Sequence, residues 1–216
     1  MFFYVKIGDI VIKRIIFDID YTLLIPNYGR EKEFLANQVP KENVYFINHM
    51  YDILSEYEKN NKKYDKKDLL LFFNKYVNIK LEEDFLNQWF LFNIDLIKQD
   101  TTEVRETLDY LSKYELVTLS NWFNKPQIKK LQKLGLENYF DEFYGGDQAL
   151  KPNRESYLMA CGENLPSECV MVGDNLENDV IGAINAGLKA IHYTNNQDYN
   201  HDYVKVKRFR DLKNIL

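Results

Sequence analysis

The chain has 216 residues, 45% hydrophobic and 28% charged, which is enough for one large domain or for one domain with a sizeable insertion. Its formal net charge of −5 argues against nucleic acid as a main partner, because such a partner favours a basic face. The two cysteines and three histidines are scattered, which argues against a disulfide framework or a zinc site and predicts a reducing, cytoplasmic location.

The first 13 residues are hydrophobic, but charged residues interrupt them too often for a signal peptide or a membrane span. Residues 3–12 predict an extra strand or hairpin arm leading into the core, with a poorly ordered leader as the alternative. The apolar run at 15–17 then predicts a buried strand that ends in Asp18 and Asp20. Like charges at a buried strand end repel each other and resist desolvation, so positive charge must be supplied there.

Residues 27–99 show helical periodicity and no convincing strand, which predicts a helical bundle inserted between two parts of a core, 1–26 and 100–216. Three apolar stripes support this prediction: Val44, Ile47, Tyr51 and Leu54; Leu69, Phe72, Phe73 and Tyr76; and Phe85, Trp89, Phe92 and Leu96.

From residue 101 onward, short apolar runs alternate with helical patterns. The predicted strands lie at 116–120, 143–146, 170–174 and 189–193, and the predicted helices at 102–113, 125–134, 153–162 and 177–186. Asp100 and Glu103 are spaced like a capping box at the start of the first of these helices. Continuous apolar strands joined by helices predict the α/β class, with a Rossmann-like, doubly wound, mostly parallel sheet covered on both faces.

Polar side chains follow the predicted strand ends, and parallel α/β sheets place their chemistry at such ends. If these ends meet, one rim collects several carboxylates, one hydroxyl and one lysine. A carboxylate cluster without imidazole or thiolate suits Mg²⁺, which together with the lysine would supply the missing positive charge. The residues concerned are Asp18, Asp20, Ser120, Asp174 and Asp179, with Lys151 before a helix.

These residues resemble, in order, the four motifs of the haloacid dehalogenase superfamily. Asp18, Asp20 and Thr22 match the first motif, Ser120 the second and Lys151 the third, while the stretch GDNLENDVIGAINAGL at 173–188 matches the fourth. The helical insertion at 27–99 matches the cap domain of the phosphatase-like branch. The resemblance implies a Mg²⁺-dependent phosphatase that hydrolyses a small phosphomonoester through an aspartyl-phosphate.

The resemblance also implies a role for each acid and base. Asp18 would be the nucleophile that takes the phosphoryl group. Asp20 would protonate the leaving oxygen and then deprotonate the hydrolytic water, and an acid of this kind needs neighbouring negative charge to hold its proton. Lys151 would neutralise charge during transfer.

Phosphate and metal ligands follow from the same resemblance. Thr22 would orient Asp20 and its loop, and together with Ser120, the Asn121 backbone amide and Lys151 it makes up the predicted phosphate-binding set. Mg²⁺ would take the Asp18 carboxylate, the Asp20 backbone carbonyl and Asp174. Asp179 would act through water or Lys151, with capping of the helix at 177–186 as the alternative.

Several alternatives stay open at this point. A phosphosugar mutase or a nucleotide-specific phosphatase would share the same motifs, whereas dehalogenases of the superfamily lack a residue like Asp20. A non-catalytic binding protein ranks low because no motif residue is lost. The substrate is expected to be a small phosphomonoester, with no membrane partner, and both a monomer and a homodimer are compatible with the sequence. Trp122 faces the substrate or packs, and Arg30 and Lys32 contact an anion or lie on a solvated helix face.

Overall fold

The structure is a computed structural model that describes residues 6–7, 10–194 and 203–216. Its strands are β1 Lys6–Ile7, β2 Ile10–Val11, β3 Arg14–Phe17, β4 Glu115–Leu119, β5 Glu142–Tyr144, β6 Cys169–Gly173, β7 Lys189–Tyr193 and β8 Val204–Val206. Six of them form one sheet in the order β5-β4-β3-β6-β7-β8, and every neighbouring pair is parallel. The α/β class with a parallel sheet is therefore confirmed.

Eight α-helices are present in the described part of the chain. Four belong to the segment before residue 100: α1 Glu31–Gln38, α2 Val44–Asn60, α3 Lys66–Phe73 and α4 Glu83–Leu96. Four follow it: α5 Thr102–Leu111, α6 Asn124–Leu134, α7 Arg154–Cys161 and α8 Gly182–Ala186. Short 3₁₀ turns lie at Tyr28–Arg30, Glu137–Tyr139, Pro166–Glu168 and Phe209–Asn214, and a π-helical turn at Leu176–Ile181. None of the helices in these ranges combines the length and apolar character that crossing a membrane requires.

The N-terminal residues form a small antiparallel pair, β1 with β2, as the hairpin alternative predicts. Residues 3–5 and 8–9 of that prediction lie outside the described residues. Ile12, which follows the hairpin, is completely buried in the main core and connects it to β3.

Successive residues of a strand point to opposite sides of the sheet, and both sides are covered. Ile15 and Phe17 pack on one face in a cluster with Leu108 of α5. Ile16 packs on the other face with Tyr157 of α7. Strand β8 escapes prediction from sequence because it is a short edge strand in which only Val206 is buried.

Helices α1–α4 build a separate hydrophobic cluster that is rich in aromatic rings. The second predicted stripe and the third, except for Leu96, lie in this cluster, but the first describes the buried face of α2 only in part. Val44 and Tyr51 are exposed, while Phe46 and Met50 are buried. Two apolar faces with similar helical spacing compete in α2, and packing selects the one that carries Phe46. The domain boundaries at 26/27 and 99/100 stay a prediction.

The predicted capping box at α5 is wrong in its second half. The Asp100 carboxylate accepts hydrogen bonds from the backbone N–H and hydroxyl of Thr102, at 2.9 and 2.6 Å. The helix begins at Thr102, as predicted, but its N-cap is Thr101 rather than Asp100. Glu103 is therefore out of register for capping, and its carboxylate lies 3.8 Å from the Arg210 guanidinium.

The amino-terminal edge of the sheet carries a largely buried arginine. Arg14, at the start of β3, donates from Nε to Glu115 at 2.8 Å and from Nη1 to Glu142 at 2.8 Å. Nη1 also donates to the Ala160 carbonyl at 3.0 Å. Arg14 thereby joins the starts of three neighbouring strands, β3, β4 and β5.

Candidate active site

The opposite edge of the sheet gathers the predicted site residues. Asp18 follows β3, Ser120 follows β4 and Asp174 follows β6, and β3 pairs with both of the other strands. These three residues line one cavity of about 240 Å³, together with Asp20 and Lys151. The geometry thus brings together the side chains that the parallel-sheet argument placed at one rim.

A tight turn after β3 determines which side chains enter this cavity. The Ile19 carbonyl accepts hydrogen bonds from the N–H groups of Leu23 and Leu24, at 2.9 and 3.1 Å. Tyr21 sits in the left-handed region with φ of +64°, which reverses the chain between Asp20 and Thr22. Asp20 lines the cavity as expected.

Thr22 departs from its predicted place. It is not among the residues that line the cavity with Asp18, and it lines a neighbouring depression instead. Its buried Oγ1 has no hydrogen-bond partner among the described residues. The reversal at Tyr21 accounts for this position, so a direct phosphate contact from Thr22 is not supported by the geometry.

Lys151 is the cation at the centre of the cluster. Its Nζ lies 2.7 Å from Asp18 Oδ1 and 2.6 Å from Asp179 Oδ1. Burial disfavours the charged ammonium, but the carboxylates of Asp179 and Asp18 outweigh burial and raise the pKa of Lys151. The Asn121 side chain holds the Lys151 backbone at both its N–H and its carbonyl, at 2.7 and 2.9 Å. Asn121 therefore positions Lys151, a role that the sequence argument did not assign to its side chain.

Three carboxylates form a cluster with the character of a metal site. Asp18, Asp174 and Asp179 each offer one oxygen, and these oxygens all lie within 4.8 Å of one another. Burial raises the pKa of Asp18 well above its ordinary value; Lys151 acts in the opposite direction, and Asp179 and Asp174 raise it further. Burial and Asp179 also raise the pKa of Asp174 to about 6. One lysine does not balance these charges, and all-oxygen donors fit Mg²⁺.

The loop after β6 is shaped so that Asp179 can approach. A Cβ atom at Gly173 would overlap the Asp179 carboxylate, so only glycine leaves room for it. The Asn175 N–H donates to Asp179 Oδ2 at 2.9 Å, and His192 Nε2 donates to the Asp174 carbonyl at 2.8 Å. Since Asp179 binds Lys151 directly, the contact through Lys151 that the resemblance implies is present.

Two functional candidates on α6 escaped the sequence argument. Lys130 Nζ lies 2.8 Å from Asp20 Oδ1, and Gln127 Nε2 donates to Asp20 Oδ2 at 2.8 Å and to Ser120 Oγ at 2.6 Å. Both side chains are only 1% exposed. The nearest charged partner of Asp20 is therefore an ammonium group, and the carboxylates of Asp174 and Glu31 also lie close enough to interact with Asp20. Gln127 and Lys130 share the buried face of α6 with Leu131, and polar residues on an apolar stripe were the available signal.

The cavity wall opposite the sheet comes from the helical segment, residues 28–96. It contributes six polar or aromatic residues: Tyr28, Glu31, Tyr51, Glu58, Trp89 and Asn93. Trp122, from the loop after β4, lines the cavity and also packs on Trp89 with ring centroids 5.0 Å apart, so it has a packing role, and its contact with a substrate stays a prediction. Arg30 pairs with exposed Glu33 and does not line the cavity, and Lys32 is likewise exposed and outside it.

Comparison with known proteins gives relatives that match part of the chain and relatives that match nearly all of it. Mouse N-acylneuraminate-9-phosphatase is 35% identical over 105 residues, which is 47% of this chain and 40% of that enzyme. The match thus spans less than half of the curated relative's length. A pyrimidine 5'-nucleotidase of Streptococcus pneumoniae is 26% identical over 94% of this chain and 97% of its own length.

Solved structures extend the comparison to the whole fold. A phosphatase of the haloacid dehalogenase type from Thermococcus onnurineus superposes with a TM-score of 0.65 at 25% identity, covering 94% of this chain and 97% of that one. The L-2-haloacid dehalogenase of Xanthobacter autotrophicus has a TM-score of 0.70 at 18% identity over 94% and 98% of the two chains, a likeness of fold alone.

The family comparison covers most of the sequence. The model of haloacid dehalogenase-like hydrolases matches residues 12–187, a range that begins before β3 and ends after α8. It includes Asp18, Lys151 and Asp179 with everything between them. The chain belongs to the haloacid dehalogenase-like hydrolase family.

Proposed function

We propose that this protein is a Mg²⁺-dependent phosphatase that hydrolyses a small phosphomonoester through an aspartyl-phosphate on Asp18. The observation that carries the proposal is the position of Asp18 and Asp20 on one cavity rim, with Lys151 Nζ 2.7 Å from the Asp18 carboxylate. A carboxylate nucleophile needs a neighbouring acid and a cation close by, and at this rim Asp20 and the Lys151 ammonium are the candidates.

The first step transfers the phosphoryl group to Asp18. An Asp18 carboxylate oxygen forms a bond to phosphorus while the bond from phosphorus to the leaving oxygen breaks. Asp20 delivers its proton to that leaving oxygen, and the alcohol departs. Lys151 and the Ser120 hydroxyl, together with the Asn121 backbone amide, hold the phosphoryl oxygens during the transfer.

The second step returns the enzyme to its starting state. Asp20, now a carboxylate, takes a proton from water as the water oxygen attacks phosphorus and the bond to Asp18 breaks. Inorganic phosphate leaves, and Asp20 is protonated again. Lys130 and Gln127 fix the Asp20 carboxylate through its two oxygens, so one side chain can serve both steps from one position.

Mg²⁺ would be held by the carboxylates of Asp18 and Asp174 and by the Asp20 backbone carbonyl, with Asp179 acting through Lys151. It would supply positive charge that offsets the carboxylate cluster and the phosphate. Residues 27–99 would form the cap domain that covers the rim and excludes water.

A phosphate-release assay tests the proposal. p-Nitrophenyl phosphate and a panel of phosphorylated metabolites are assayed with Mg²⁺ and with excess EDTA in metal-free buffer. Phosphate release should require Mg²⁺ and return when Mg²⁺ is restored. Unfolding curves of the chelated protein serve as the control, and they should stay cooperative because the ligands lie at a rim outside the large core. Equal rates with and without chelator would contradict the metal requirement, and no release from any substrate would contradict the activity.

A further inference from the structure

Both ends of the cavity are lined by carboxylates, and the end formed by the sheet also contributes a cation. Among the described lining residues, Lys151 is the only lysine or arginine, and it is already paired with Asp18 and Asp179. The wall from the helical segment adds two further carboxylates, Glu31 and Glu58. A group that extends from the bound phosphate toward this wall therefore meets negative charge and no free cation.

Glu31 holds an unused hydrogen-bonding position at this wall. Its side chain is buried, with the residue 1% exposed, and Oε1 accepts a hydrogen bond from Trp89 Nε1 at 2.8 Å. The Asn93 amide lies beside the carboxylate, yet Oε2 has no hydrogen bond of acceptable geometry within the described part of the chain. A buried carboxylate oxygen without a donor is costly, so a ligand that brings a donor is favoured there.

Glu58 reinforces the same selectivity from α2. Its Oε1 accepts a hydrogen bond from the hydroxyl of Tyr64 at 2.5 Å, which holds the side chain in a wall that also carries aromatic residues. Burial raises the pKa of Glu58, and this effect outweighs the opposing hydrogen bond from Tyr64 and the charge of Lys151. The wall thus accepts hydrogen bonds and contacts apolar surface, but it offers nothing that would neutralise an anion.

We propose that Glu31 and Glu58 select phosphomonoesters whose leaving group is uncharged and donates hydrogen bonds, and that they reject leaving groups with a carboxylate or a second phosphate. This inference rests on the proposed phosphatase function. Substrates of this class are phosphates of neutral polyols, sugars and nucleosides. The mutase alternative is disfavoured on the same ground, because moving a phosphoryl group between two positions of a sugar passes through a doubly phosphorylated species.

Matched pairs of substrates test the selection. Glyceraldehyde 3-phosphate and 3-phosphoglycerate differ mainly by one carboxylate, and fructose 6-phosphate and fructose 1,6-bisphosphate differ by one phosphate. The kcat/KM values are compared within each pair. With Mg²⁺ at pH 8, we expect the uncharged leaving group of each pair to be preferred by about tenfold or more, since a like charge in a partly desolvated site is strongly unfavourable.

Variants connect the preference to the wall. Glu31→Gln keeps the side-chain size and an acceptor for Trp89 but removes the charge, so the preference within each pair should fall several-fold, through a higher kcat/KM for the anionic member. Glu58→Gln should act in the same direction and provides a second variant if the first does not fold. Glu33→Gln is the matched control. It removes the same charge from the exposed side of α1, where Glu33 pairs with Arg30.

The outcomes separate this inference from the proposed function. If p-nitrophenyl phosphate is not hydrolysed at all, the proposed phosphatase function fails. If it is hydrolysed but the anionic members are preferred or used equally well, the selection is overturned while the phosphatase function stands. An unchanged preference in both Glu31→Gln and Glu58→Gln, or an equal change in Glu33→Gln, would overturn the role of the wall.

Discussion

The two ends of the active-site cavity are built in different ways. At the phosphate end, Asp18, Ser120 and Asp174 follow three neighbouring strands directly, so the sheet backbone fixes their positions. At the leaving-group end, Glu31 and Glu58 come from two helices that are held in place by side-chain packing. The proposed chemistry thus lies in the part of the molecule that backbone pairing between strands holds in place.

This difference explains why one fold can serve many substrates. Strand ends in a parallel sheet cannot move relative to one another without breaking ladder hydrogen bonds, whereas a packed helical wall can change its side chains one at a time. Residues at the phosphate end should therefore control whether reaction occurs, and residues at the wall should control which ester reacts.

The largest effect is expected from substitutions of Asp18 and Asp20 at the phosphate end. Asp18→Asn removes the nucleophile, so turnover should vanish and no adduct should form. Asp20→Asn keeps the nucleophile but loses the proton carrier, a loss of about 10²–10⁴-fold in turnover. With p-nitrophenyl phosphate, whose leaving group needs little protonation, Asp20→Asn should phosphorylate Asp18 and stall.

Mass spectrometry of the quenched variants checks this division of labour. A phosphate adduct should appear on the peptide that carries residue 18 in Asp20→Asn and be absent from Asp18→Asn. An adduct on Ser120, or wild-type turnover in either variant, would contradict the mechanism.

A smaller effect is expected from the contact that fixes Asp20. Lys130→Met removes the ammonium 2.8 Å from Asp20 Oδ1 and leaves Gln127 in place. Turnover of an alkyl phosphate should fall about 10–100-fold, as for other residues that orient a reacting group. The loss should be smaller for p-nitrophenyl phosphate, because that leaving group depends little on Asp20 as an acid.

The matched control for this prediction is Lys129→Met, which removes an exposed lysine from the same helix and should leave both rates unchanged. Equal losses for the two substrates in Lys130→Met would indicate a structural role rather than a role through Asp20.

The last effect concerns stability rather than turnover and isolates the leaving-group end. Burial raises the pKa of Glu31 from 4.5 to about 7, so the folded protein holds this proton more tightly than the unfolded chain. The associated stability is present below pH 4.5 and is lost as the pH rises through about 7, a change of roughly 3 kcal/mol if the full shift is realised.

Glu31→Gln removes this titration. Urea unfolding at pH 5 and pH 8 should show that the variant gains stability over the wild type as the pH rises. The exposed Glu33→Gln variant should show no such gain. Parallel behaviour of the wild type and Glu31→Gln across this range would mean that Glu31 does not titrate in the folded protein.

The sequence made the phosphate end predictable because its residues sit in short contiguous motifs at strand ends. Once a parallel sheet is inferred, the positions of Asp18, Ser120 and Asp174 follow from the rule that such ends share one edge. Gln127 and Lys130 could also have been found, since a helical projection of α6 places them on its buried face beside Leu131.

The leaving-group wall could not be inferred in this way. Glu31 and Glu58 lie 27 positions apart on α1 and α2, and only tertiary packing brings both to one cavity. The same limit explains the error on α2, where Tyr51 lies on an apolar stripe yet faces the cavity rather than the core. Thr22 lies outside the cavity lining, next to a left-handed turn at Tyr21 that nothing in a tyrosine predicts.

The arginine at the far edge of the sheet contributes to the alignment of the strands that end at the candidate active site. Arg14 aligns the starts of β3, β4 and β5 by pairing with Glu115 and Glu142. Strand β3 is only four residues long, so any error in alignment at its start is carried undiminished to Asp18. A slip of one residue would shift Asp18 by about 3.3 Å, more than the length of its contact with Lys151, and would leave a buried guanidinium without partners. Ion pairs at the far edge of the sheet thus help to hold the register of the strands that end at Asp18 and Ser120.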